Sequence, residues 1–121
     1  MKVMKIKDVP VVSRSGGIFT STIHSKALVG EETGSKDFSI SIVSFPKGVR
    51  NIFHTHPCDQ VLYVLSGEGI VADEKQEVPF TIGMFAFIPA GERHWHGATK
   101  DSDFSHISIL RLGGAAHETK G

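Results

Sequence analysis

Cysteine is almost missing from this sequence. Cys58 stands alone, so no intrachain disulfide framework can form, and a reducing compartment suits the chain. An excess of charge is missing as well: lysine plus arginine and aspartate plus glutamate each number 13, which leaves no electrostatic footprint for nucleic acid or an anionic membrane. Long apolar runs are also absent. The start, MKVMKIKDVPVV, is basic but lacks the apolar stretch of a signal peptide, and nothing later approaches a membrane span. These absences point to a soluble, cytoplasmic protein whose partner is a small molecule, with no nucleic-acid and no membrane partner. At 121 residues the chain makes one domain, 1–121, large enough for a core and too small for two.

Sustained helical periodicity is lacking too. Short alternating or β-branched runs, broken by glycine and proline, occupy residues 15–30, 37–46, 51–57, 60–67, 69–75, 84–90, 92–98 and 103–112. The reading is all-β, with the punctuation of a barrel or sandwich. The segment EVPFTIG reads as a connection, and SGEG at 66–69 reads as a hairpin turn, since its glycines allow the positive φ of a chain reversal. From about residue 113 the small, polar stretch GGAAHETKG reads as a flexible tail, with His117 a bystander.

What is present is histidine, seven in all, with two in FHTHPCDQVLY and two in GERHWHG. In a strand, residues two apart share a face, so His54 and His56 point the same way, with Cα atoms about 6.5 Å apart, a span from which two imidazoles converge on one ion. His94 and His96 repeat the pattern. One such pair means little, because many histidines lie on solvated faces. Two pairs, each ending a separate apolar strand, ask for a chemical reason.

The residues around these pairs resemble the cupins. In the first cupin motif, Gly48, five residues, His54-Thr55-His56, three residues, position 60, six residues and Gly67 keep every spacing, with Gln60 where cupins carry glutamate. In the second, Gly83, Pro89, Gly91 and His94 match, and Ala98 replaces the final asparagine. The resemblance implies a single small cupin-type β-barrel, a jelly-roll-like double-stranded β-helix. It also implies that His54, His56, Gln60 and His94 hold one divalent transition ion per subunit, manganese before iron or zinc. A glutamine ligand carries no charge, so the ion keeps its full +2 to polarise a bound molecule. A barrel with a vestigial site, its Gln60 merely hydrogen-bonded, is the alternative.

HTHPCDQ from His54, GERHWHGA from Gly91 and SHISI around His106 occur together in small cupins similar to the manganese-dependent hydroxynitrile lyases and to the cupin part of carboxymuconolactone-decarboxylase-like proteins. By that resemblance His96 and His106 lie near the substrate, as catalytic residues. The chain departs from the lyases at Leu110, where they offer glutamine, so the resemblance implies a shared reaction class with a different substrate. Phe104, His106, Ser108 and Leu110 share one face by alternation. His106 reads as the general base or as a core histidine bonded to a carbonyl, and His96 as a second base or a donor to substrate.

Cys58 reads as a small loop residue, and Trp95 as pointing away from its flanking histidines. Arg50 leads to His54 and is a candidate contact for an anionic substrate. Ser41, Val43 and Phe45 share a parity that the resemblance places toward the pocket, while Phe38, Ile40 and Ile42 offer a second apolar surface, as in a homodimer. The leading function is a metal-dependent lyase, decarboxylase or isomerase on a small oxygenated molecule. A metal-dependent dioxygenase and a binding or sensor protein without catalysis are the alternatives.

Overall fold

A computed structural model describes residues 1–119; Lys120 and Gly121, the end of the segment read as a tail, lie outside the described residues. The strands are β1 (Val12–Arg14), β2 (Ile23–Val29), β3 (Phe38–Phe45), β4 (His54–Thr55), β5 (Gln60–Ala72), β6 (Glu77–Thr81), β7 (Phe85–Ile88), β8 (Trp95–Ala98), β9 (Phe104–Arg111) and β10 (His117–Glu118). Two 3₁₀ turns, Ile6–Asp8 and Glu31–Thr33, are the helical elements among the described residues, so the all-β reading holds. No helix here is long and apolar enough to cross a membrane.

Every strand pairing is antiparallel. The main path runs β1-β2-β3-β9-β5-β6, with β7 and β8 also on β5 and β10 on β4. Strand β5 is the hinge of the barrel. Its first half pairs with β9 and β7, its second with β6 and β8.

This corrects two sequence expectations. SGEG is not a reversal: Ser66–Gly69 lie inside the 13-residue β5, where the pairing with β9 slips between Val64 and Ser66. Gly67, with a positive φ of 77°, lies just past that bulge, and a side chain there would collide with the Asp103 carbonyl. The segment EVPFTIG contains β6, whose Phe80 is fully buried and supplies the core contact that its short apolar pattern did not advertise.

Register sorts the side chains into two faces. Val43, His106 and Val64 form one inward row and Ser41, Ser108, Leu62 and Ala86 another, so His106 and Ser108 face the interior that Val43 and Ser41 also line. Leu62 and Val64 of these rows join Ile23, Phe45, Phe80, Ile88, Ala98 and Phe104 in the core. On the outer face Ile42, Ile107, Tyr63 and Phe85 form one row, and Ile40, Ile109, Val61 and Phe87 the next. Phe85 is 70% exposed and Phe87 57%, whereas Ile42 is already buried within the chain.

Candidate metal centre

The two segments carrying the histidine pairs are bridged at His54–His94. The His54 N–H donates to the His94 carbonyl at 2.9 Å and the His94 N–H to the His54 carbonyl at 3.0 Å. This exchange brings motif residues 40 positions apart side by side, with ring centroids 4.3 Å apart. His56, two residues on, turns to the same face as alternation requires, its ring 5.1 Å from that of His54. All three imidazoles are buried, and their ligating nitrogens lie within 4.8 Å of one another.

Backbone carbonyls fix the tautomer of each ring. Nδ1 of His54 donates to Ile52 O at 2.8 Å, Nδ1 of His56 to Gly114 O at 2.7 Å, and Nδ1 of His94 to Glu92 O at 2.8 Å. A carbonyl only accepts, so each Nδ1 carries the proton and each Nε2 of the neutral ring keeps a free lone pair. Nε2 of His54 and of His56 are buried without any partner among the described residues.

Gln60 completes the set. Its Nε2 donates to Ser108 Oγ at 3.0 Å, which turns Oε1 toward His94 Nε2 at 3.1 Å. That contact sets two acceptors face to face. A cation beside it relieves this contact, as does the opposite amide orientation with the Ser108 hydroxyl donating to Oε1; His94 is a poor cation itself, because burial holds its imidazole below the usual value. Burial, and next the neighbouring His94, pushes His54 down to about 3, and burial lowers His56, with His117 adding to the effect. The centre therefore presents three neutral imidazole lone pairs and an amide oxygen, a donor set that fits a divalent transition ion.

His96 leaves the cluster. Although His94 and His96 share strand parity, Nδ1 of His96 bonds Nε2 of His106 at 2.9 Å, and both rings are buried. Asn51, which the sequence reading missed, anchors His96. Its Oδ1 accepts the His96 backbone N–H at 2.8 Å, so its amide nitrogen faces the His96 ring, 3.3 Å from Nε2. The amide nitrogen is also 3.5 Å from Nδ1, so it packs across both ring nitrogens, and the 2.9 Å contact between His96 Nδ1 and His106 Nε2 holds one shared proton. Burial is the main cause that holds His96 well below its usual value, and burial pushes His106 down to about 4. Both rings are neutral near pH 7.

Above the centre lies a cavity of about 560 Å³, into which His54, His56, Gln60, His96 and His106 all open. Ser41, Val43 and Phe45 line it, as their parity implied, with Ser108 and Leu110. Arg14 and Arg111 stand in its wall, and no carboxylate does among the described residues. Arg50 is elsewhere. Its guanidinium stacks 3.6 Å over the Trp95 ring, on the side away from the histidines, so the expected anion contact does not form. Cys58 is buried against Gly114. Neither Asn51 nor Gly114 carried a local signal. Asn51 lies out of parity with His54, and Gly114 acts through a main-chain oxygen.

The family model for the cupin domain matches residues 41–110, which include all six histidine and glutamine positions discussed above. An (R)-mandelonitrile lyase from Granulicella tundricola is 38% identical over 76 residues, covering 61% of this chain and 58% of that protein. An oxalate-binding protein from Thermotoga maritima is 28% identical over 71 residues, covering 58% and 59%. The chain thus spans less than two thirds of either curated relative. Among solved structures, a cupin-like protein from Thermotoga maritima superposes with a TM-score of 0.82 at 30% identity, over 90% of this chain and 84% of that one. The polyketide cyclase RemF from Streptomyces resistomycificus shares the fold, with a TM-score of 0.85 at 17% identity over 100% of this chain and 87% of that one.

Proposed function

Because this chain belongs to the cupin family, we propose that it is a metal-dependent lyase, decarboxylase or isomerase acting on a small oxygenated molecule by Lewis-acid and histidine-base catalysis. One observation carries this reading: the ligating nitrogens of His54, His56 and His94 converge within 4.8 Å, those of His54 and His56 buried without a hydrogen-bond partner among the described residues, next to a neutral imidazole pair opening on the same cavity. His54, His56, Gln60 and His94 would hold about one divalent ion per subunit, manganese first, with iron or zinc as the alternatives. When bound, such an ion lowers the cost of negative charge on a substrate oxygen. All four ligands are neutral, so they leave the charge of the ion undiminished.

The remaining chemistry belongs to side chains of the chain itself. His106 and His96 act as one base: one proton lies in their 2.9 Å bond, so the neutral pair keeps one unprotonated outer nitrogen, His96 Nε2 or His106 Nδ1, to accept another. Asn51 holds that pair in place through the His96 main-chain N–H and its amide against the His96 ring. The hydroxyls of Ser41 and Ser108 are available to orient a substrate, and the cationic residues Arg14 and Arg111 at the cavity, with no carboxylate beside them among the described lining residues, favour one that carries or develops negative charge. The lyase and oxalate-binding relatives support small substrates of this kind.

The outer apolar rows on β3, β9, β5 and β7 support a homodimer that leaves the cavity free, and the balanced charge fits a protein without nucleic-acid or anionic-membrane partners. The function is tested by offering the metal-loaded chain mandelonitrile, oxalate and small 2-hydroxy and 2-oxo acids in an oxygen electrode. Turnover without O₂ uptake is expected. Uptake matched to substrate loss would establish a dioxygenase, and saturable binding without turnover a sensor protein.

A further inference from the structure

The segment 113–119, whose composition suggested a loose tail, runs back across the metal-bearing strand. His117 pairs with Thr55 and Glu118 with His54, the Thr119 N–H reaches Phe53 O at 3.4 Å, and Arg93 Nε donates to Thr119 Oγ1 at 2.8 Å. At the near end of this segment the Gly114 carbonyl accepts the Nδ1 proton of His56. Gly114 fits there because it has no side chain: a Cβ would lie 2.5 Å from Cys58 Sγ and 3.0 Å from Arg111 O. Among the described residues His56 Nδ1 has no other partner, so the tautomer that frees its Nε2 depends on a carbonyl held in place by β10 and by Cys58.

We infer that residues 113–119 form a strap that completes the metal centre, with Gly114 as the positioning residue of His56, so that docking of the strap on β4 and metal occupancy reinforce each other. The inference rests on the proposal that His54, His56, Gln60 and His94 hold a metal ion. Its physical basis is that a ligating imidazole needs its second nitrogen fixed, and loss of such a partner typically weakens metal binding about 10- to 100-fold. Linkage is reciprocal: whatever factor the docked strap adds to metal affinity, the metal adds to strap docking.

The test titrates Zn²⁺ against a competing chromophoric chelator with the full chain, a chain ending at Leu112, Gly114→Ala, and Gly114→Ala combined with Cys58→Ala. Metal-free and metal-loaded full chains are compared in parallel by amide exchange over residues 114–119. About 10- to 100-fold weaker Zn²⁺ binding is expected for the shortened chain and for Gly114→Ala. Removing the Cys58 sulfur should restore most of the loss, which a general destabilisation would not do. Exchange in the strap should slow when metal is bound. A full chain that takes up no metal would defeat the metal reading and the strap together. A full chain that binds tightly while the shortened chain and Gly114→Ala bind within about twofold of it, or a strap whose exchange ignores metal, would overturn the strap alone; if the shortened chain fails to fold, Gly114→Ala and its Cys58→Ala partner decide.

Discussion

His54 and His94 exchange both backbone hydrogen bonds, at 2.9 and 3.0 Å, in a bridge between two segments that the Asn51 N–H to His96 carbonyl bond and the Arg50–Gly97 bridge also join. The pairing fixes two imidazoles to the main chain on both sides, so the centre is assembled before any ion arrives. Preorganisation of this kind lets ligand substitutions and base substitutions be separated experimentally.

The base is the first case. His106→Ala removes the Nε2 that pairs with His96 but none of the four metal-facing atoms. Metal content should stay at the wild-type level while turnover falls about 10²- to 10⁴-fold, the range for losing a positioned proton acceptor. Metal analysis and initial rates on one preparation check this; full activity per folded molecule would make His106 a core histidine.

Asn51→Ala strips two groups of their partners, the His96 main-chain N–H and its ring nitrogen. Stability should drop by about 1–3 kcal/mol in urea unfolding. Because the His96 ring then loses the group that holds it against His106, the rate should fall more than ligand binding does. An unchanged urea midpoint would show that the buried amide is dispensable.

Gln60→Glu tests the role of a neutral ligand. A carboxylate cannot donate to Ser108 as the amide does, so the serine hydroxyl must turn to donate instead. Metal should be held at least as tightly, yet turnover should decrease, since the added negative charge offsets the ion. Faster turnover in Gln60→Glu contradicts the proposed use of an uncharged ligand.

For the metal-free chain, pH is a direct probe of burial. His54 is pushed down to about 3 and His106 to about 4, from an unfolded value near 6.5. Between these limits the unfolded chain binds more protons than the folded one, so stability is full above pH 6.5 and is lost as pH falls toward 4. Each of these histidines takes away about 1.4 kcal/mol for every pH unit crossed in that window. Urea midpoints measured with chelator present should be flat from pH 7 to 8 and decline steadily below 6.5. A flat profile down to pH 4 would mean that the imidazoles are solvated.

Much of the centre was legible because it follows from alternation and spacing: strand parity aligns His54 with His56, and it turns His106 and Ser108 inward together. Parity could not foretell that His96 would desert His94 for His106, since that choice is made by Asn51 from another segment. The glycines of Ser66–Gly69 read equally well as a turn or as a bulge, and only the pairing of β5 with four partners decides for the bulge. Strap residues were opaque for a related reason. Their contribution is a main-chain carbonyl and a vacant Cβ position, neither of which composition records.

The outer face leads to a separate prediction. Tyr63, Phe85 and Phe87 sit in adjacent rows and remain exposed in the single chain. Wild-type protein should sediment as a dimer at micromolar concentration, and Phe87→Asp should sediment as a monomer with its metal content intact. A wild-type monomer would remove the proposal.

The central claim is that four neutral acceptors converge because an ion belongs between them. Elemental analysis of protein purified without added metal, beside His54→Ala combined with His94→Ala, tests it most directly. About one divalent transition ion per wild-type chain and almost none in the double variant is the predicted result. Stoichiometric metal in the double variant, or a wild-type chain that stays empty even when offered manganese, ferrous iron and zinc, would contradict it.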